Sequence, residues 1–434
     1  MVKKTAFHML ILLICSVALG YFMLVLVYCI PQGRLKGLGN SVAAIRKDDE
    51  DLSEVIFGYP GSRLDVFTDG AMLNTASHTN DEGPLRRAIA CHQYSYKDRS
   101  PAQAFIDFYS GIEPDGEVTY VRYWHGFLVV LKPLLLFFGY SDIRILNHMG
   151  QLLIVFLTLY ALVKKGLSRY VPAVLMTYFF LTPIVLPMAM QYSACFYTGF
   201  GSLACILLFY DRIKDDDRLF LLFMLTGILT SYTDLLTYPV FTLGLPLLGL
   251  LILMGNDGSD TTFAGAFIKF MFCGISWFLG YALMWIGKVL ISIPFYGLSV
   301  ISDTAGSVAS RSASGASSEG YTYLQALHDN LFMYKNDIYR ISLILYTVAV
   351  AVYFIYGRCK GRNRIDLKFI PMYLCVTAIP FVWYMVTIEH ACVHAFMTYK
   401  DLTVAVFAYC VAVMSVFGSA DKESIKRKDF DKDG

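Results

Sequence analysis

The sequence predicts an all-α polytopic membrane protein, with about ten transmembrane helices and a large first extracytoplasmic loop that contains interfacial helices. Three observations predict it. The 434 residues are 56% hydrophobic and only 16% charged, with a mean hydropathy of +0.53, whereas soluble domains carry about 25% charged residues. Apolar runs of about twenty residues recur along the chain, the length that crosses hydrocarbon as a helix. The loops rich in Lys and Arg also alternate, so that one assignment of the crossings keeps them on a single, cytoplasmic side. A formal net charge of +2 gives no basic stripe for nucleic acid, so no nucleic-acid partner is expected.

The chain reads as a single membrane domain, 1–434, divided into a first span 6–30, an extracytoplasmic loop 31–140, a helical bundle 141–418 and a cytoplasmic tail 419–434. Lys3 and Lys4 precede the first apolar run. That run exceeds the roughly 7–15 residues of a secretory signal core and lacks a small-residue cleavage site, so it reads as an uncleaved span entering from the cytoplasm. The polar region that follows, Pro31 to Tyr123, is too long for a simple connector. Its run Lys47-Asp48-Asp49-Glu50-Asp51 reads as solvated surface.

The segment Tyr120–Tyr140 contains Gly126, Lys132 and Pro133. If it crossed, Lys164, Lys165 and Arg169 would fall outside, against the positive-inside bias. It is therefore expected to lie along the outer interface. Spans then follow at 143–163, 170–190, 192–210, 219–235, 238–254, 264–293, 338–356, 369–388 and 402–417. Together with the first span they leave both termini cytoplasmic in a multi-pass cell-membrane protein. The Ser/Ala/Gly stretch Ala305–Ser318 reads as a flexible loop, either slack or a lid. The cysteines show no C-x-x-C pair or zinc spacing. Cys91 and Cys392 fall in outer segments and could pair.

This arrangement puts Asp69, His78, His92, His125, Asp234, His390 and His394 near one face. Four constellations carry chemistry. Asp69, in Thr68-Asp69-Gly70, is a candidate general base or the N-cap of a helix over Gly70–His78, with Asp65 as a second acid. Arg122, His125 and Lys132, beside Tyr120, Tyr123 and Trp124, suit either a phosphate or an interfacial belt. Asp234, in a short turn between apolar spans, is a functional acid or a cap. His390 and His394 lie one helical turn apart, with Lys400 beyond. Without a Glu between them the pair is weak as a zinc site, so the metal is unknown, a divalent cation is one option, and phosphate binding is the other. Asp215-Asp216-Asp217 sits in too tight a loop for a sugar nucleotide.

A first span, an acidic outer loop at Asp69, an interfacial segment at Tyr120–Tyr140 and then alternating spans together resemble the GT-C class of integral-membrane glycosyltransferases. The resemblance implies transfer of a sugar from a polyprenyl-phosphate donor to an extracytoplasmic acceptor hydroxyl. By that resemblance Asp69 would be the base; from the residues themselves, Asp234 would bind sugar hydroxyls, assist the base or hold a divalent ion, and Arg122, His125, Lys132, His390, His394 and Lys400 would hold the phosphate. The implied partners are a lipid-linked sugar donor, a glycan or lipid acceptor, and membrane lipid. Many members carry two adjacent acids in this loop, whereas here Gly70 follows Asp69. A lipid-linked-glycan transporter or flippase is the rival reading, with Lys269 and Lys288 as intramembrane candidates, although no internal repeat supports it. A non-catalytic partner in an envelope complex is the third.

Overall fold

A computed structural model describes residues 2–47, 52–256, 262–360, 363–417 and 419–420. The acidic run after Lys47, Arg362 and nearly all of the expected tail lie outside the described residues. The first span is α1 (Val2–Tyr28). The outer loop then folds into α2 (Lys36–Lys47), α3 (Val66–Ser77), α4 (Pro84–Ala90) and α5 (Pro101–Tyr109). Strand β1 (Gln93–Ser95) pairs antiparallel with β2 (Gly116–Val118), and Tyr94 sits opposite Glu117. Helix α5 starts where Ser100 caps the Gln103 amide at 3.3 Å, with Pro101 at its first position, where no amide is needed. Helix α6 (Leu128–Leu135) is about 12 Å long at 1.5 Å per residue, too short to cross a bilayer.

The bundle comprises α7 (Tyr140–Lys164), α8 (Val171–Phe180), α9 (Ser193–Ile213), α10 (Asp216–Thr233), α11 (Phe241–Asn256) and α12 (Phe263–Tyr296). Short helices α13 (Ser299–Arg311), α14 (Ala313–Glu319) and α15 (Tyr323–Phe332) follow. The chain ends through α16 (Asp337–Cys359), α17 (Ile370–Val386), α18 (Ile388–Val393), α19 (Ala395–Thr398) and α20 (Thr403–Phe417). A minimal ladder joins β3 (Asn363–Arg364) to β4 (Ser419–Ala420). Among the described residues, six helical segments are long and apolar enough to cross a membrane: Lys3–Tyr28, Tyr140–Lys164, Met190–Ile213, Phe263–Tyr296, Asp337–Cys359 and Ala395–Phe417. Helices α11 and α17 are apolar but shorter. The protein is thus an all-α membrane protein.

Three expectations change. The span 170–190 is not one helix: α8 ends at Phe180, and Thr182 adopts a left-handed φ of 56°. Pro183 follows, and a proline disfavours the helical conformation in the residue before it. The stretch Ala305–Ser318 is not a loop but lies mainly in α13 and α14. Cys91 and Cys392 are both free thiols.

Ion pairs gather one end of the bundle. His8 on α1 meets Asp217 at 2.9 Å, Lys165 after α7 meets Asp211 at 2.9 Å, and Lys269 on α12 meets Asp216 at 2.9 Å. The folded loop before α7 caps the opposite end. Two long-range bonds rivet it to α12: Trp124 Nε1 donates to the Met284 carbonyl at 2.8 Å, and Lys288 Nζ donates to the Ile89 carbonyl at 2.8 Å.

Helices α10 and α12 form the most extensive pair in the bundle. They meet through small residues, which let backbones approach closely where lipid supplies no hydrophobic drive. A Cβ at Gly227 would lie 2.0 Å from the Trp277 carbonyl oxygen, and one at Gly280 would lie 2.1 Å from that of Met224. Gly280→Leu is expected to destabilise by about 3 kcal/mol or more, since the obstacle is backbone. A thermal melt in detergent checks this, and an unchanged Tm would contradict the packing.

Candidate functional site

Asp65 and Asp69 are one helical turn apart at the start of α3, a spacing that puts both on one face. Asp65 is the N-cap, accepting from the Thr68 amide at 2.8 Å and the Thr68 hydroxyl at 2.9 Å. Asp69 lies one turn inside the helix, so the capping role expected of Asp69 belongs to Asp65. Asp69 accepts from the Tyr140 hydroxyl at 2.5 Å and from the amides of Met190 and Gln191 at 2.9 and 3.2 Å. Arg144 donates to the same Tyr140 oxygen at 2.6 Å. The Gln191 side chain donates to Asp65. One residue in the turn before α9 thus touches both acids.

Both carboxyls are fully buried. Burial raises Asp65 to about 7, with the Asp69 charge adding to the rise and the Thr68 bonds opposing it. Burial raises Asp69 to about 6 against the pull of Tyr140 and Arg144. In this conformation Asp69 is closed to solvent, and a substrate hydroxyl reaches it only if the Met190–Tyr192 turn moves.

Lys400 belongs to this cluster. Its Nζ lies 3.8 Å from the Tyr192 ring centre and 4.1 Å from that of Tyr399. It is fully buried and has no hydrogen-bond partner. Its charge reaches Asp65. Next to it, Asp401 is also fully buried, and no side chain hydrogen-bonds its carboxyl. That carboxyl sits beside the Val240 and Phe241 amides at the start of α11, within reach of the Asp234 charge.

Asp234 follows α10, and the Thr237 amide and hydroxyl bond its carboxyl at 3.0 and 2.5 Å. This is a local turn cap. Burial raises its pKa to about 6. The next residue but one, Leu236, has a left-handed φ of 64°, and its carbonyl bonds His390 Nε2 at 2.7 Å. The His390 and His394 rings are 4.6 Å apart. Burial, with His394 and Arg311 adding to it, lowers His390 to about 3, and burial with Arg311 lowers His394 to about 4. Both are therefore neutral near pH 7; the His390 N–H is used on the Leu236 carbonyl, so its buried Nδ1 can only accept, and His394 alone keeps an N–H to offer.

Arg311, at the end of α13, lies 5.9 Å from the Tyr123 ring. Arg122 holds α13 through Asp303 at 3.4 Å. His125, at a left-handed φ of 54°, is buried and lowered to about 3 by burial and then by the Lys288 charge. The following Gly126 donates its amide to the Tyr232 carbonyl at 2.8 Å, and a Cβ there would lie 2.4 Å from that oxygen.

The structure thus forms two groups on either side of Tyr192 and Tyr238, whose rings are 6.2 Å apart. Asp65, Asp69 and Lys400 are on one side. Asp234, Asp401, His390 and His394 are on the other, with Arg122 and Arg311 beyond. Lys132 stands elsewhere, buried against the Tyr28 ring at 4.6 Å. The two lysines considered for a transport path are both engaged, Lys269 with Asp216 and Lys288 with the Ala88 and Ile89 carbonyls. Sequence reasoning missed Asp401, Gln191, Arg144 and Arg311. Only Asp401 left a signal, as an acid joined to Lys400 ahead of an apolar run. Among the described residues, no group of three His, Cys, Asp or Glu side chains could hold a metal ion.

No family model matches this chain, and no curated protein or solved structure is significantly similar to it.

Proposed function

We propose that the protein is a membrane glycosyltransferase that moves a sugar from a polyprenyl-phosphate carrier to an extracytoplasmic acceptor hydroxyl. One observation carries this reading. An apolar groove of about 390 Å³ runs between α6, α7 and α9, lined by Phe127, Val130, Leu134, Ala194 and Tyr197, and Gln191 forms part of its wall. Gln191 is the residue that touches both Asp65 and Asp69. A lipid chain in the groove brings its phosphate-linked head to the acid pair, the joint apolar and polar requirement of a lipid-linked substrate.

In the reaction, the acceptor oxygen bonds to the anomeric carbon as the bond from that carbon to the phosphate oxygen breaks. The acceptor proton passes to Asp69, the candidate base, and polyprenyl phosphate leaves. Lys400 stabilises the departing charge, with Arg122 and His394 as further donors, since the single N–H of neutral His125 and of neutral His390 is held by the Tyr123 and Leu236 carbonyls. Asp234 assists the base or binds sugar hydroxyls. In this reading the Lys- and Arg-bearing end faces the cytoplasm, and the ten crossings include α10, α11, α17 and the broken stretch 170–190, of which α8 forms only part.

Purified protein given a series of sugar-labelled polyprenyl-phosphate hexoses together with an envelope glycan and lipid fraction as acceptor is expected to move label onto the acceptor and release unlabelled carrier phosphate. Asp69 acts as a base, so the unprotonated form is the active one, and the rate falls as pH drops through about 6. Movement of the donor across a bilayer without cleavage would replace this reading with transport. An intact donor that does not move would leave a non-catalytic partner.

A further inference from the structure

We infer that Arg87, Lys132 and Lys288 form a binding site for a phosphate-type anion, on the face of α6 opposite the apolar groove. Lys132 and Lys288 are 1% and 0% exposed. The cations converge on Tyr28 and Cys91: Arg87 lies 5.3 Å and Lys132 4.6 Å from the Tyr28 ring, and the charges of both lysines reach the Cys91 thiol.

Buried charges are normally paired, because an uncompensated one costs several kcal/mol. These have only neutral partners. Lys288 donates to the Ile89 and Ala88 carbonyls at 2.8 and 3.4 Å, and Arg87 donates to the His78 carbonyl at 2.6 Å. Among the described residues, no carboxylate forms an ion pair with any of the three. Two acids of the loop lie against other partners: Glu82 against Arg86 and His92 at 3.0 and 2.9 Å, and Glu117 against His92 at 3.4 Å. Cys91 is not a counter-ion, because burial pushes its ionisation up. Burial lowers Lys132 only to about 8, which leaves it charged at neutral pH.

The Arg87 Nε edge is buried and makes no hydrogen bond, and the buried Tyr28 hydroxyl has only the Cys91 sulfur, a weak acceptor, within reach. Tyr28 is itself 4% exposed. Two ammonium groups, one guanidinium edge and one phenol suit a tetrahedral oxyanion. Arg87 is only half-buried and provides the entry. The phosphate can come from a lipid headgroup at the end of α1 or from a free phosphate. The site does not depend on the transferase reading.

The test is a thermal melt of the full chain in uncharged, phosphate-free detergent, with inorganic pyrophosphate in one arm and phosphatidylglycerol micelles in the other. At least one probe is expected to raise Tm in the wild type, and Lys132→Met is expected to abolish that shift. A shift with the lipid alone assigns a headgroup, and one with pyrophosphate assigns a free anion. Without a probe, Lys132→Met melts no lower than wild type, because an apolar side chain replaces an unpaired buried charge. If Lys132→Met fails to fold, Arg87→Gln at the half-buried entry is read in its place. No shift in the wild type, or an equal shift in the variant, overturns the site.

Discussion

Replacing Lys400 with methionine is expected to lower sugar transfer by about 10²–10³-fold, the usual loss when a group stabilising developing charge is removed, without lowering Tm. The ammonium is fully buried, has no hydrogen-bond partner and rests between the Tyr192 and Tyr399 rings. Its one compensating charge is Asp65, whose own burial favours the neutral acid. Methionine fills a similar volume and removes a buried polar group that has no hydrogen-bond partner, whose burial costs free energy. A lysine kept at such a position serves something other than stability. Full transfer by the variant would remove Lys400 from the site. A lowered Tm with transfer per folded molecule unchanged would make it a structural strut.

Gly70→Asp would create two adjacent acids, and it is expected to abolish folding. A Cβ at this position would lie 2.4 Å from Ala102 Cα and 2.8 Å from its amide nitrogen. The obstacle is backbone of α5, which cannot rotate aside. Overpacking alone costs about 1–3 kcal/mol, and an unpaired buried carboxylate adds several more. The yield of monodisperse protein after detergent extraction reports the outcome. A variant that accumulates and transfers like the wild type would show that the α3–α5 contact does not determine what position 70 tolerates. In this protein a second buried acid, Asp65, lies one turn earlier and on the same face.

What was legible in the sequence divides along physical lines. Apolar run length exposed α1, α7, α9, α12, α16 and α20, because crossing lipid demands it of each helix by itself. The break after α8 was also visible, as Thr182-Pro183, but the apolar character of the whole run concealed it. The Ser/Ala/Gly segment was read as slack because Gly and Ser are weak helix formers. It is helical because α12 and α18 pack against α13, and tertiary contacts outweigh propensity in short helices. Asp69 and Lys400 each stood out locally as charges among apolar neighbours. Their meeting, through Tyr192 and the Gln191 turn, brings together α3, α9 and the start of α20, and no local pattern encodes that. Gly227 and Gly280 are equally mute until α10 and α12 touch.

The central claim is that a lipid-linked donor lies in the groove beside Gln191. A polyprenyl-phosphate analogue with a photoactivatable group on its chain tests it most directly. After irradiation and digestion, label is expected on the peptides spanning 127–134 and 190–198, and excess unlabelled polyprenyl phosphate should compete it away. Label spread over the lipid-facing surface of α16, unaffected by competitor, would contradict the account.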